Sequence, residues 1–145
     1  MDLTVEQRLR RLEDREEIRE LLMEYGRTLD NADADGYSRL FASDGEWAGG
    51  GFASKTPAKI KEMIERLVAN RPAAAGSSHI LTNVIMEIDG DAANAWSRWF
   101  LFIPGETGKP TVRVAGQYKD DLVREDGRWK FRRRTLTHDL QAKAP

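Results

Sequence analysis

Cysteine is absent from the 145 residues of this sequence, and histidine is scarce, since only His79 and His138 are present. Without cysteine the chain can form no disulfide, no thiolate metal site and no thiol nucleophile. Two histidines are too few for a three-histidine zinc centre. These two absences exclude a large part of the known enzyme classes.

Long apolar runs and an excess of charge of one sign are missing as well. No apolar run approaches the length of a membrane span, and the charged N-terminus "MDLTVEQRLRRLEDREE" does not have the pattern of a signal peptide. A formal net charge of -1 gives no general attraction to nucleic acid or to anionic membranes. We therefore expect a cytoplasmic globular protein that has neither nucleic acid nor a membrane as its partner.

The first thirty residues predict two helices rather than one. Their apolar residues recur at helical spacing on two faces that are rotated well away from each other. The first face carries Val5, Leu9 and Leu12, and the second carries Ile18, Leu21, Leu22, Tyr25 and Leu29. Two capping boxes, Thr4 with Gln7 and Asp14 with Glu17, agree with a break between the helices. Asp33 is placed to cap a third, short helix.

The remainder of the chain predicts one more helix and then an antiparallel sheet. An apolar stripe runs over about residues 56–69, with Pro57 at a tolerated position in the first turn. Two pairs of strands follow, and their predicted hairpin turns are Asp89-Gly90 and Asp126-Gly127. Helices followed by an antiparallel meander indicate the α+β class, with a curved sheet folded around the helices. We expect a single domain over residues 1–145.

Three segments, taken in order, point to a family. They are "REEIRELLMEYGRTLDNADADGYSRLFASDGEW", "SSHILTNVIMEIDGDAANAWS" and "GQYKDDLVREDGRWKF". Over roughly residues 9–136 the chain resembles the SnoaL-like branch of the nuclear transport factor 2-like superfamily. The resemblance implies a cone-shaped α+β barrel, in which N-terminal helices pack on a strongly curved, mostly antiparallel sheet and enclose a pocket.

Members of this superfamily do different chemistry. They include scytalone dehydratase, bile acid 7α-dehydratase, hexachlorocyclohexane dehydrochlorinase, ketosteroid isomerase and non-catalytic subunits of ring-hydroxylating dioxygenases. The fold alone therefore does not decide the function.

The resemblance implies three catalytic residues. Several of these dehydratases and the dehydrochlorinase pair an aspartate near the end of the long N-terminal helix with a histidine on the sheet, and Asp30 and His79 stand at the matching positions. A carboxylate on one imidazole nitrogen fixes the tautomer and stabilises the imidazolium, so the other nitrogen can act as a base without metal or cofactor. Tyr25 stands where the bile acid dehydratase has a tyrosine, and its hydroxyl could donate a hydrogen bond to a reacting oxygen. The plainer alternatives are a solvated helix-end acid, a strand histidine and a core tyrosine.

Four further residues are candidates for substrate binding. Trp47 and Arg124 match a pocket tryptophan and a functional arginine of the dehydrochlorinase, although Trp47 suits a core and Arg124 a surface equally well. Tyr118 alternates with Arg124 along one predicted strand, which places the two on one face. Asn83 follows His79 at an even spacing and is expected on the same face, where it could orient substrate or satisfy a backbone group.

Alternation along the later strands predicts which side chains share a face of the sheet. In "RWKFRRR" one face carries Trp129, Phe131 and Arg133, and the other carries Arg128, Lys130, Arg132 and Arg134. We interpret the basic face as solvated or as a subunit interface, because no nucleic-acid recognition motif accompanies it. Trp96, Phe100 and Phe102 alternate with Trp99 and Leu101, so one of these two bulky faces covers the core and the other packs against a helix or another subunit. The resemblance implies a homo-oligomer, a dimer or trimer, and we expect His138 to lie outside the chemistry.

Together these features favour a cofactor-independent lyase or isomerase that acts on a small cyclic, largely apolar, oxygenated substrate. His79 would be the general base, Asp30 its orienting partner and Tyr25 the hydrogen-bond donor. The alternative is a non-catalytic small-ligand-binding protein, or an accessory subunit resembling the β subunit of a ring-hydroxylating dioxygenase. A reaction like that of ketosteroid isomerase would need an aspartic acid from the sheet, and Asp120 is the obvious candidate.

Overall fold

A computed structural model describes residues 2–70 and 76–141, which form three helices and six strands. The helices are α1 Val5–Asp30, α2 Ala34–Ser38 and α3 Pro57–Ala69. The strands are β1 Phe41–Gly49, β2 Phe52–Lys55, β3 Ser78–Asp89, β4 Ala92–Pro104, β5 Pro110–Glu125 and β6 Arg128–Gln141. None of the helices in the described ranges is long and apolar enough to cross a membrane.

The six strands form one mixed sheet in the order β2-β1-β6-β5-β4-β3. Strands β3 to β6 are the predicted antiparallel meander, whereas β1 pairs with β6 in parallel. The second hairpin turn lies at Asp126-Gly127 as predicted, whereas the first lies one residue later than predicted, at Gly90-Asp91, because Asp89 still pairs with Ala92. Gly90, Asp126 and Gly127 adopt the positive φ that tight hairpins require. The α+β prediction is confirmed, and the sheet is curled around the helices without closing into a barrel.

Residues 5–30 form one continuous helix, so the prediction of two helices is wrong. The capping box of Thr4 and Gln7 is present and begins α1. The second proposed cap, Asp14, instead lies buried within the helix and accepts a hydrogen bond from the indole Nε1 of Trp129 at 3.1 Å. The two apolar faces reflect a change in what surrounds the helix: only the part after about residue 13 packs on the sheet.

The core lies between the second half of α1, the short helices and the concave face of the sheet. Its buried side chains include Ile18, Leu22, Tyr25, Tyr37, Phe41, Trp99, Tyr118 and Phe131. On β4 the predicted alternation holds, because Trp99 and Leu101 are buried while Trp96 is exposed on the opposite face. The concave face of the sheet is therefore the face that can build a site.

A bulge in β6 overturns the predicted alternation of its arginines. The β5·β6 register pairs Leu122 with Phe131 but Asp121 with Arg133, so the β6 strand holds one extra residue at this point. A one-residue slip moves every following side chain to the other face. Arg134, predicted to face outward, is therefore inside and 0% exposed, whereas Arg133 is exposed.

Arg124 connects α1 to the β3–β4 and β5–β6 hairpin turns. Its guanidinium donates to the carboxylate of Asp14 and, at 2.9 Å, to Oδ1 of Asp91, and it lies 4.7 Å from the ring centre of Trp129. Burial alone raises the pKa of Asp14, but hydrogen bonds from Arg124 and Trp129 outweigh burial and lower that pKa below its ordinary value. The pair thus holds a mostly buried carboxylate in its charged form.

We expect Arg124→Met to lower the free energy of unfolding by about 2 kcal/mol at neutral pH, because Asp14 keeps its charge without its partner. A group with a lowered folded pKa stabilises the fold above its ordinary pKa and loses this contribution as the pH falls. The difference between wild type and variant should therefore shrink in acid, below about pH 4. Urea unfolding at pH 7 and pH 3 measures it, with Arg132→Met at an exposed pair as the control. Equal losses in the two variants would contradict this role.

Candidate functional site

A cavity of about 830 Å³ opens between α1, α3 and the concave face of the sheet. Its walls are mainly aromatic and aliphatic, and the aromatic residues are Tyr25, Tyr37, Trp47, Phe52, Trp99 and Tyr118. His79 and His138 are its imidazoles, and charged residues of α3 such as Lys59 and Arg66 lie at its rim. A volume of this size and a lining of this kind suit a small ring-shaped apolar molecule.

Asp30 and His79 form a close pair at the wall of this cavity. Oδ1 of Asp30 lies 2.5 Å from Nδ1 of His79, and Oδ2 accepts the backbone N–H of His79 at 2.9 Å. The His79 side chain lines the cavity and is 7% exposed, while Asp30 lies behind it. With Nδ1 donating to the carboxylate, Nε2 is the nitrogen left to accept a proton from a ligand.

The meeting of α1 and β3 explains why an acid stands at a helix end. A carboxylate at a helix C-terminus is disfavoured by the helix dipole. Here the carboxylate of Asp30 leaves the helix and is satisfied by the imidazole and a backbone N–H of His79. Gly26, one turn earlier, allows the close approach, because a Cβ at this position would lie 3.3 Å from the carbonyl oxygen of His79.

Tyr25 presents its hydroxyl at the cavity wall one turn before Asp30. The indole Nε1 of Trp47 donates to that hydroxyl oxygen at 2.9 Å, so this contact uses an acceptor site of the hydroxyl and not its proton. The ring of Tyr25 packs against Tyr37 and Tyr118, with ring centres 4.8 and 5.4 Å apart. Burial, together with the nearby Tyr25 phenol, raises the pKa values of Tyr37 and Tyr118 well above the ordinary value of a tyrosine. These two hydroxyls therefore stay neutral.

Arg134 and Asp120 form a buried ion pair beneath these tyrosines, and sequence reasoning missed it. Nε and Nη2 of Arg134 each donate to the carboxylate of Asp120 at 2.7 Å. The guanidinium carbon lies 4.1 Å from the ring centre of Tyr25 and 3.9 Å from that of Tyr118. Burial alone would lower the pKa of Arg134, but Asp120 outweighs burial and raises it. A permanent cation therefore lies directly behind the hydroxyl-bearing rings of the cavity.

The strand face of only one member of this pair could be predicted from the sequence. Asp120 lies at an even spacing from Tyr118 and is therefore expected on the same face of β5, whereas the β6 bulge reverses the face that simple alternation predicts for Arg134. Nη1 of Arg134 is buried and has no hydrogen-bond partner within residues 2–70 and 76–141. An unpaired donor of this kind is uncommon in a folded protein.

The structure brings together five of the seven candidates from the sequence. Tyr25, Trp47, His79 and Tyr118 line the cavity, and Asp30 is bonded to His79. Arg124 is engaged at the other end of the domain, as described above. His138, expected outside the chemistry, also lines the cavity, with its ring centre 5.6 Å from that of Trp99.

Asn83 does not share the face of His79, so that prediction is wrong. The β3·β4 register shifts between Thr82 and Ile85, and Asn83 adopts a φ of 53° at this bulge. The bulge turns the side chain of Asn83 outward, and Asn83 is exposed. Its amide oxygen accepts a hydrogen bond from the hydroxyl of Thr82 at 3.2 Å.

Comparison with known proteins agrees with this fold. A model of the SnoaL-like domain matches residues 10–135, and the chain therefore belongs to the SnoaL-like family. An uncharacterized protein of Mycobacterium tuberculosis, Rv2910c, is 33% identical over 138 residues, which cover 90% of this chain and 88% of that protein.

Two solved structures illustrate the range of the fold. An NTF2-like protein with a cystatin-like fold from Novosphingobium aromaticivorans is 34% identical, with a TM-score of 0.86 over 95% of this chain and 90% of that one. A hexachlorocyclohexane dehydrochlorinase, LinA-type3 from Novosphingobium barchaimii, is 22% identical, with a TM-score of 0.78 over 92% of both chains. At that identity the second similarity establishes the shared fold.

Proposed function

We propose that the protein is a cofactor-independent lyase or isomerase of the dehydratase type, with a small cyclic, largely apolar, oxygenated substrate. The observation that carries this proposal is the 2.5 Å contact between Asp30 and Nδ1 of His79 at the wall of an aromatic cavity. An imidazole held in this way is suited to removing a proton from carbon. The SnoaL-like fold, shared with a dehydrochlorinase, supports elimination chemistry without deciding the leaving group.

In this mechanism His79 is the general base. Its Nε2 takes a proton from a carbon next to a carbonyl or beside a leaving group, and the charge of Asp30 stabilises the imidazolium. In a dehydration a carbon–carbon double bond forms as the carbon–oxygen bond breaks, and the proton is passed to the leaving oxygen, which departs as water. In an isomerisation the same proton returns to another carbon of the substrate.

Tyr25 acts on the oxygen of the substrate. Its hydroxyl donates to the carbonyl or leaving oxygen, where negative charge develops in the transition state. The buried guanidinium of Arg134 stacks on the far face of the Tyr25 ring, and its positive charge stabilises the negative charge on the substrate oxygen. Arg134 is therefore a positioning residue. Trp47 and Tyr118 supply flat walls for a ring. The substrate roles implied for Arg124 and Asn83 have no place in this mechanism, because one residue is held by carboxylates far from the cavity and the other faces outward.

A panel of matched ligands tests the proposal. We expect bicyclic ketones or alcohols to raise the melting temperature of the protein more than hydrocarbons of the same shape, because Tyr25 can donate only to an oxygen. In Tyr25→Phe the affinity advantage of the oxygenated compounds should fall by about tenfold, while hydrocarbon binding stays unchanged. Thermal shift and calorimetry measure both effects, and Tyr37→Phe is the control. An unchanged preference for oxygenated ligands in Tyr25→Phe would remove Tyr25 from the mechanism.

The same cavity also supports a second candidate function, that of a non-catalytic small-ligand binder or an accessory subunit. The predominance of aromatic walls over polar groups favours binding and does not itself require His79. The two functions differ in one measurement, the mass or NMR spectrum of a bound compound after incubation. Conversion by wild type but not by His79→Ala supports the enzyme, whereas equal binding by both without conversion supports the binder.

A further inference from the structure

The first third of α1 extends beyond the domain and carries an apolar stripe into solvent. Val5, Leu9 and Leu12 are 80%, 55% and 62% exposed, and every residue from 5 to 13 is exposed. The capping box at Thr4 nevertheless begins the helix at Val5, ahead of any packing on the sheet. Single exposed leucines are common, but a contiguous apolar stripe along an exposed helix face is typical of an interaction site.

The stripe points away from the body of its own domain. At about 100° per residue, Val5, Leu9 and Leu12 lie within about 60° of one another around the helix. The buried residues of the same helix are Asp14, Ile18, Leu21, Leu22, Tyr25, Gly26 and Thr28. Their mean direction is about 160° from that of the stripe. A partner helix could therefore lie along the stripe without touching the domain behind it.

We propose that this stripe binds the same segment of a second copy of the chain, with the two α1 helices parallel. The spacing of Val5, Leu9 and Leu12 is that of the d, a and d positions of a heptad. Arg8 then occupies position g and Glu13 the following position e, and both are exposed. Parallel helices bring g of one chain beside this e of the other, so Arg8 of each copy meets Glu13 of its partner.

The charges select the parallel arrangement. In an antiparallel pair the g positions face each other, as do the e positions, and Arg8 would lie near Arg8 of the other chain. Arg15 and Glu20 repeat the favourable g-to-e spacing one heptad later. The two domains would then lie on opposite outer sides of the helix pair.

The length of the apolar stripe determines the affinity of the two α1 helices for each other. Glu16 and Arg19 continue the heptad positions but are polar and contact each other within one helix at 3.8 Å, so the apolar seam ends at Leu12. Because α1 is already helical, association does not have to order it. Three apolar layers and the two symmetry-related Arg8–Glu13 ion pairs beside them correspond to a weak dimer, with a dissociation constant of about 10 to 100 μM.

Disulfide trapping tests the parallel orientation of the two helices. Because the chain has no native cysteine, an introduced cysteine is the only one that can form a disulfide. We expect Val5→Cys to form a disulfide-linked dimer under mild oxidation, because parallel pairing places Val5 beside Val5 of the other copy. Arg11→Cys, about 120° from Val5 around the helix and outside the stripe, is the matched control and should cross-link at least about tenfold more slowly. Equal rates for the two variants would overturn the proposal.

Sedimentation equilibrium over about 5 to 500 μM tests the contacts themselves. We expect Leu9→Glu to weaken the dimer by about a hundredfold, and Arg8→Glu by about tenfold through repulsion with Glu13. The double variant Arg8→Glu/Glu13→Arg should return to within about threefold of wild type. All of these residues are exposed, so the circular dichroism of the monomer should not change. A monomer throughout this range, or an oligomer that Leu9→Glu leaves unchanged, would refute the helix pair.

Discussion

Replacement of His79 by alanine is expected to lower kcat by about a thousandfold, because the proposed base is removed while the cavity remains. The fold should survive. The carboxylate of Asp30 keeps the backbone N–H of residue 79, which donates to it at 2.9 Å in the wild type, so no buried charge is left without a partner. Steady-state kinetics on a compound that the wild type converts, together with urea unfolding, separates the two effects.

Asp30→Asn is the sharper half of this experiment. Asparagine keeps the shape of the side chain but removes the negative charge that stabilises the imidazolium, and its amide can turn a donor toward Nδ1. We expect kcat to fall by about a hundred- to a thousandfold with little change in KM, because the charge matters mainly after proton transfer. Near-normal kcat in either Asp30→Asn or His79→Ala would rule out the dyad mechanism.

A nearby acid provides the matched control for Asp30. Asp33 accepts the backbone N–H of Gly36 at 2.8 Å and caps α2, a role that asparagine performs about as well. Asp33→Asn should therefore leave both kcat and stability close to wild type. An equal loss of kcat in Asp33→Asn would mean that the Asp30 variant acts through the helix end rather than through His79.

The parts of the fold that could be predicted from the sequence are those fixed by local chemistry. The hairpin at Asp126-Gly127 follows from two residues that tolerate positive φ, and the start of α3 follows from Pro57 in its first turn. Alternation on β4 separated Trp99 from Trp96 correctly, because β4 holds its alternation through this region. In each case the deciding information lies within a few residues.

The wrong predictions concern features that a short sequence pattern does not reveal. These features are an extra residue in a strand and a change in what packs against a helix. Bulges in β3 and β6 reversed the faces of Asn83 and Arg134 without any glycine or proline to mark them. The single helix α1 was divided in two because its apolar residues change face where the helix leaves the domain. The pairing of Asp30 with His79 spans 49 residues, so it came from the family resemblance and not from spacing.

Arg134→Met is expected to lower the free energy of unfolding by about 3 to 5 kcal/mol, because it leaves the carboxylate of Asp120 buried without a counter-charge. Both side chains of this pair are 0% exposed, and the carboxylate accepts two hydrogen bonds from Arg134 at 2.7 Å. Replacing both partners with apolar residues removes the orphaned charge. Arg134→Met/Asp120→Leu should therefore recover most of the loss, which urea unfolding of the two single variants and the double variant measures.

The double variant also separates the structural role of Arg134 from its proposed role in catalysis. In the wild type the guanidinium stacks on Tyr25 and Tyr118 and favours negative charge on the substrate oxygen that Tyr25 contacts. A folded Arg134→Met/Asp120→Leu protein should then bind oxygenated ligands with nearly unchanged KM but show a kcat at least about tenfold lower. If this protein folds and kcat equals that of wild type, the buried pair serves stability alone. If kcat falls as expected, the cation behind the tyrosines is part of the mechanism, because stability has been restored and only the charge is missing.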